Sequence, residues 1–191
     1  MKIVGFTGNY DGGKTVPQAY LMADSSILFT GRPFFLPDFA QAFVATPTLV
    51  VRTGRLGKCI APKFAYRYWD AFTAGFTVRA IESNDDRIKV LDRAFDGALI
   101  LGDWVEKASL ESPIHATVQA LVDGNEASSC CLADMSQPVD ELLAAVSTRC
   151  SIKMGDLILT GDVAEGHLLA AGNHLTASID GRQVLDVKVK L

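Results

Sequence analysis

The sequence runs to 191 residues with 49% hydrophobic and 21% charged side chains, ample for one domain with a buried core, with or without a small N-terminal appendage. A net charge of -4 and a pI near 5.3 leave no basic footprint of the kind that nucleic-acid phosphates require. No apolar run reaches the roughly 18 residues of a membrane span, and Met1-Lys2-Ile3-Val4 lacks the long apolar region of a signal peptide, so a cytoplasmic location is expected.

Lys2–Thr7 reads as a short buried strand. Gly8–Thr15 then matches the phosphate-cradling pattern G-x-x-x-x-G-K-[ST] letter for letter. A working phosphate loop needs a helix starting at the lysine and a parallel sheet of alternating strands and helices. Instead Val16-Pro17-Gln18-Ala19 leads within a few residues to a turn signal at Asp24-Ser25-Ser26, and the chain offers two helical patterns where four or more are needed. Leu99–Asp103 resembles a Walker B strand but does not supply that context, so nucleotide binding is the least favoured reading.

Gly31-Arg32-Pro33 predicts a hairpin turn into Phe34-Phe35-Leu36. Thr46–Arg52 is rich in β-branched residues and predicts a strand with Thr46 and Thr48 on one face. Pro47 cannot donate to a ladder, so that strand must be an edge or bulged there. Pro62–Phe72 places Ala65, Tyr68, Trp69 and Phe72 at helical spacing. Ala74–Ile81 alternates as a second strand with Thr77 and Arg79 on one face, so three threonines are expected to line one pocket.

Ser83-Asn84-Asp85-Asp86 reads as a polar loop. Ala116–Val122 ends at the hairpin signal Asp123-Gly124, and Leu175–Ile179 and Val184–Val189 form a hairpin at Asp180-Gly181. Ser136-Gln137-Pro138 predicts the cap of a helix whose apolar face is Val139, Leu142, Leu143 and Val146. Cys59, Cys130, Cys131 and Cys150 lack zinc-ligand spacing and read as idle thiols. His115, His167 and His174 are scattered, without the positioned partner that catalysis demands.

Phe34–Phe39 (FFLPDF), Leu49–Lys58 (LVVRTGRLGK), Lys63–Ala80 (KFAYRYWDAFTAGFTVRA) and Met154–Gly161 together resemble the fumarylacetoacetate hydrolase-like family. Its members cleave, isomerise or decarboxylate β-dicarbonyl acids using Mg²⁺ or Mn²⁺. The resemblance implies an α+β fold, a mixed β-roll or folded β-barrel with few helices, and a homodimer. It divides the chain into a short N-terminal segment over residues 1–33, a reduced lid region, and a β-roll domain over residues 34–191.

The family's Glu-x-Glu and Asp metal ligands fall on Thr46, Thr48 and Thr77, and its general-base His falls on Gly13. Tyr10 belongs to its first turn, Met22 stands where the Lys of its F-x-K-P would be, Arg93 takes the place of a carboxylate-binding Lys, and Asp162 follows Thr160-Gly161 where a Thr is usual. Neutral hydroxyls contribute too little to displace water from Mg²⁺, so no cofactor is expected. Carboxylates crowded without their cation would repel, a cost that threonines relieve.

The leading expectation is a scaffold without its usual catalytic apparatus. Its pocket, built from Tyr10, Thr46, Thr48, Thr77 and Arg79 with Arg93, Thr160 and Asp162, would hold a small carboxylate. The alternative is a working hydrolase, isomerase or decarboxylase of β-dicarbonyl acids with a rebuilt site, recruiting Asp11, Glu82 or Asp162, with Arg93 as the substrate clamp.

Overall fold

The structure, a computed structural model, describes residues 1–83 and 86–191, the side chains of Glu82 and Ser83 excepted. In chain order its strands are β1 (Ile3–Thr7), β2 (Gln18–Met22), β3 (Ile27–Phe29), β4 (Phe34–Phe35), β5 (Ala40–Thr53), β6 (Trp69–Ser83), β7 (Leu99–Leu101), β8 (Val105–Glu106), β9 (Val118–Val122), β10 (Asn125–Cys130), β11 (Leu157–Asp162), β12 (His167–Leu168), β13 (His174–Ile179) and β14 (Arg182–Lys190). The α-helices are α1 (Pro62–Ala65) and α2 (Val139–Arg149). This is the mixed β-roll with few helices that the sequence predicts. Among the described residues no helix is long and apolar enough to cross a membrane.

The strands form two sheets. The larger runs β2-β1-β11-β5-β6-β7-β3, with β12 added to β5 and β8 to β6. The smaller runs β10-β9-β13-β14-β4. Residues 1–33, expected as a segment preceding the main domain, contribute β1, β2 and β3 to the larger sheet, with β1 parallel to β11 and β3 parallel to β7.

The larger sheet is covered on both faces at its centre. Phe72 and Phe76 of β6 share one core cluster with Leu142 and Leu143 of α2 and with Leu175 and Leu185 of the smaller sheet. Val50, Leu99, Leu157 and Leu159 form a second cluster on the opposite face. Leu49, Val50 and Val51 are therefore all buried, which is why this stretch reads as a continuous apolar run instead of alternating. Each such side chain contributes about 1.5–3 kcal/mol of burial.

Pro47 lies in a central strand, between β11 and β6, and is tolerated because β11 bulges beside it. The register of β11 on β5 shifts between Leu159 and Asp162, and Val163 N–H donates to the Pro47 carbonyl at 3.1 Å. The missing donor of Pro47 faces this irregularity instead of a regular ladder. Both predicted hairpin turns form with two consecutive positive φ angles, 53° and 79° at Asp123-Gly124 and 47° and 78° at Asp180-Gly181.

Three local expectations are corrected. The helix predicted over Pro62–Phe72 stops at Ala65, and Trp69 to Phe72 instead extend β6, where Ala71 pairs with Arg52 and Phe72 with both Val51 and Val105. Ladder bonds on two sides outweigh the local helical spacing. Gly31-Arg32-Pro33 does not make a hairpin: it carries the chain from β3 in the larger sheet to β4, which lies parallel to β14 in the smaller one. Ser136 does not cap α2, whose N-cap is Pro138 without a side-chain bond; its amide donates to the Asn9 carbonyl at 2.8 Å.

Gly102 stitches the sheets together. Its amide donates to Ala74 of β6 at 3.1 Å, and that of Asp103 donates to Val184 of β14 at 2.7 Å. A Cβ at position 102 would lie 2.9 Å from the carbonyl oxygens of both Ala74 and Val184. Gly102→Ala is expected to lower stability by about 1–3 kcal/mol through forced separation of the sheets; a urea midpoint equal to that of the parent would refute this.

Candidate functional site

The larger sheet sets the candidate site by register. Thr46 of β5 pairs with Thr77 of β6, and Thr48 pairs with Asp162 of β11. Thr46, Thr77 and Asp162 line one small cleft of about 20 Å³ together with Tyr20, Arg79 and Arg93. That volume accommodates a water molecule or little more. A wider hollow of about 530 Å³ shares Arg79 and Arg93 with the cleft and adds Asp92 and Lys89, the latter paired with Asp86.

Tyr20 was not singled out by the sequence reading. It sits opposite Gly5 in the β1–β2 ladder, where a Cβ would lie 2.2 Å from the tyrosine ring, so the ring packs directly over the glycine backbone. The Arg93 guanidinium in turn lies 5.2 Å from the centre of that ring. The available signal was an isolated glycine inside a strand, which marks a close approach.

Asp162 is half-buried. Burial pushes its carboxyl above the ordinary carboxylate range, and the charges of Arg93 and Arg79 oppose the shift without cancelling it. Tyr20 is pushed up to about 12 by burial and by the Asp162 charge, against the pull of Arg93. Two guanidiniums and one carboxylate thus give the cleft a charge of about +1, rising to +2 when Asp162 is protonated.

The remaining candidates fall elsewhere. Thr48 does not reach the cleft: it is 2% exposed, and its hydroxyl donates to the Gly161 carbonyl at 2.8 Å. Tyr10 and Thr160 pair with each other at 3.0 Å, the Thr160 hydroxyl donating to the Leu49 carbonyl at 3.1 Å and accepting from Tyr10. Burial raises the Tyr10 phenol well above its ordinary value. These three side chains lock β11 onto β5 and the first turn, and do not line the cleft. The Glu82 side chain lies outside the described residues, as does the centre of the polar loop at Asn84 and Asp85.

Asp11 is not among the residues that line the cleft, and it explains the false phosphate motif. Its carboxylate accepts from the amides of Gly13 and Lys14, at 3.0 and 3.1 Å, and from the Thr15 hydroxyl at 2.5 Å. The hydrogen bond from Thr15, then those from the backbone, hold its carboxyl below the ordinary range. The amides that would cradle a phosphate are already occupied by an anion, and the chain continues into β2 instead of a helix.

Asn9 is the buried residue that holds this turn. Its amide donates to the carbonyls of Gln137 and Thr160, and its side-chain oxygen accepts from the Gln137 amide at 2.8 Å. Full satisfaction makes it structural.

The residues do not fit a divalent cation. Among the described residues no three His, Cys, Asp or Glu side chains come together as a ligand group. The cleft instead sets two guanidiniums and two threonines beside a single carboxylate.

A two-sheet β-roll carrying a small cationic cleft across its longest strand pair is the class that these observations define. The chain belongs to the fumarylacetoacetate hydrolase family: the family model for the fumarylacetoacetate (FAA) hydrolase C-terminal region matches residues 9–190. It is 29% identical over 93 residues to oxaloacetate tautomerase YcgM of Escherichia coli (strain K12), a match over 48% of this chain and 42% of that protein, less than half its length. The fold is also that of fumarylpyruvate hydrolase from Pseudomonas aeruginosa, solved in complex with Mn²⁺ and pyruvate, with a TM-score of 0.87 at 19% identity over 100% of this chain and 90% of that one. A 5-carboxymethyl-2-hydroxymuconate delta-isomerase from Mycobacterium smegmatis superposes with a TM-score of 0.86 at 20% identity, covering 99% of this chain and 78% of its own.

Proposed function

We propose that this chain binds a small carboxylate anion between Arg79 and Arg93 without a metal ion, and that it has given up the metal-dependent chemistry of its relatives. The observation carrying this reading is the composition of the cleft wall: two guanidiniums and two threonine hydroxyls beside a lone carboxylate. A guanidinium fork grips a carboxylate bidentately, whereas a net positive wall repels Mg²⁺ or Mn²⁺. The anion itself lies on the side of the wider hollow, whose volume of about 530 Å³ admits it and which Arg79 and Arg93 also line, and the narrow cleft holds no more than a water beside Asp162.

A second reading rests on Asp162. A half-buried carboxylate held above its ordinary range beside two cations is also what a general base would require, with the guanidiniums stabilising an enolate. Titrating oxalate and pyruvate calorimetrically with EDTA and then with excess Mn²⁺, and following oxaloacetate turnover under both conditions, separates the two. Equal anion affinity in both conditions with no turnover supports the binding protein. Turnover without metal supports the Asp162 enzyme, and Mn²⁺-dependent binding or turnover overturns both.

The raised carboxyl of Asp162 fixes a pH dependence. Neutralising the Asp162 charge removes a repulsion on the anion, so Asp162→Asn is expected to bind oxalate more tightly than the parent at pH 7, and the gap should narrow as the pH falls from 7 and Asp162 of the parent takes up its proton. The stability linkage has the same sign. An acid whose folded value is raised favours the fold fully below its unfolded value and loses that contribution as the pH rises through the folded one. Asp162→Asn is therefore expected to melt above the parent at pH 7, with the difference vanishing below about pH 4.

A further inference from the structure

A mainly apolar hollow lies away from the cleft. It encloses about 500 Å³, within the range of small-molecule sites, between the start of β6, the start of α2 and the loops before β9 and α2. Buried Trp69, Leu132, Met135 and Val139 form its floor, and Ile114 stands exposed on its rim. Its polar groups converge at one end. The Lys107 ammonium lies 3.8 Å from the centre of the Trp69 ring and donates to the Tyr66 carbonyl at 2.5 Å. The Trp69 indole N–H donates to Asp140 at 3.3 Å.

An ammonium has three donors. One is satisfied by Tyr66, and among the described residues no side-chain or backbone acceptor takes the other two. The group is partly desolvated, which lowers its pKa against the pull of Asp140. A ligand filling the hollow would gain a hydrogen bond by bringing an acceptor to the Lys107 ammonium. It need not bring charge, because Asp140 already offsets Lys107 and Glu111 adds a further carboxylate to the wall. A full anion would be repelled by those two acids, while a cationic ligand would compete with Lys107 for the Trp69 face.

We infer that this hollow is a second binding site, for an uncharged, flat, largely apolar molecule whose carbonyl oxygen accepts from Lys107 while its rings pack on Trp69, Leu132 and Met135. The site is independent of the anion cleft.

Benzamide is the probe, with benzoate and benzylamine as charged molecules of the same outline. Binding is followed by Trp69 fluorescence in a Trp104→Phe background and by the NMR methyl signals of Met135 and Ile114. The expected result is saturable binding of benzamide at least about fivefold tighter than either charged probe. Lys107→Met, which keeps length and apolar bulk, should weaken it about tenfold, the loss of one hydrogen bond to a charged donor. A thermal melt of each variant controls for folding. Ala133→Trp, at the exposed rim, should block benzamide if Lys107→Met proves unstable. No saturable change, tighter binding of benzoate or benzylamine, undiminished binding by Lys107→Met or Ala133→Trp in a folded state, or occlusion of the hollow by a second copy of this chain would each overturn the assignment.

Discussion

An Arg93→Met variant is expected to lose oxalate affinity by about tenfold to a hundredfold at pH 7, the range for removing hydrogen bonds from a charged donor to a carboxylate. Arg93 is the better placed of the two arginines because its guanidinium is already stacked over Tyr20, so less side-chain freedom is lost when an anion arrives. Arg93→Lys keeps the charge but not the fork and should fall between the parent and the methionine variant. Tyr20→Leu removes the platform and should weaken binding by a smaller factor. Calorimetric titration at low ionic strength reads all three. Undiminished affinity in Arg93→Met would remove the cleft from consideration as an anion site.

Thr48→Glu is expected to cost roughly 3–5 kcal/mol, because it places a carboxylate without a partner at a site 2% exposed. It also breaks the bond by which the Thr48 hydroxyl holds the Gly161 carbonyl. A domain of this size is stable by only about 5–15 kcal/mol, so the variant should unfold at a much lower urea concentration. Thr48→Val, which preserves shape, should lose only about 1 kcal/mol. Excess Mn²⁺ should not restore the glutamate variant's stability, because position 48 does not line the cleft; full restoration would show that a carboxylate there can reach a cation.

Much of the fold was legible in the sequence because local and global signals agreed. The Asp-Gly turns demanded positive φ angles and obtained them, and Val139, Leu142, Leu143 and Val146 lie buried on the face of α2 that their spacing defined. The errors arose where a long-range pairing outbid a local pattern. Trp69 and Phe72 have helical spacing, yet the ladder with β5 and β8 claims them. Gly31-Arg32-Pro33 is turn chemistry, but nothing local indicates that it passes between two sheets.

The site was half legible for the same reason. Period-two alternation groups Thr46 with Thr48 and Thr77 with Arg79, but it knows nothing of the neighbouring strand, and of the three threonines expected in one pocket only Thr46 and Thr77 line the cleft. The β11 bulge brings Asp162 alongside and spends the Thr48 hydroxyl on Gly161, which only the third strand could reveal. Tyr20 is absent from the sequence reading because its role depends on a glycine across a ladder from it.

The pairing of β1 with β11 also governs how the molecule can be made. Ile3 meets Leu157, and Lys2 binds Asp156 through both its amide and its ammonium, contacts that span 154 residues. β1 can pair early with β2, but its other edge has no partner until β11 has been made. Such high contact order predicts refolding in milliseconds to seconds instead of microseconds. Until β11 pairs, that edge of β1 is open to pairing with another chain, which favours aggregation during refolding.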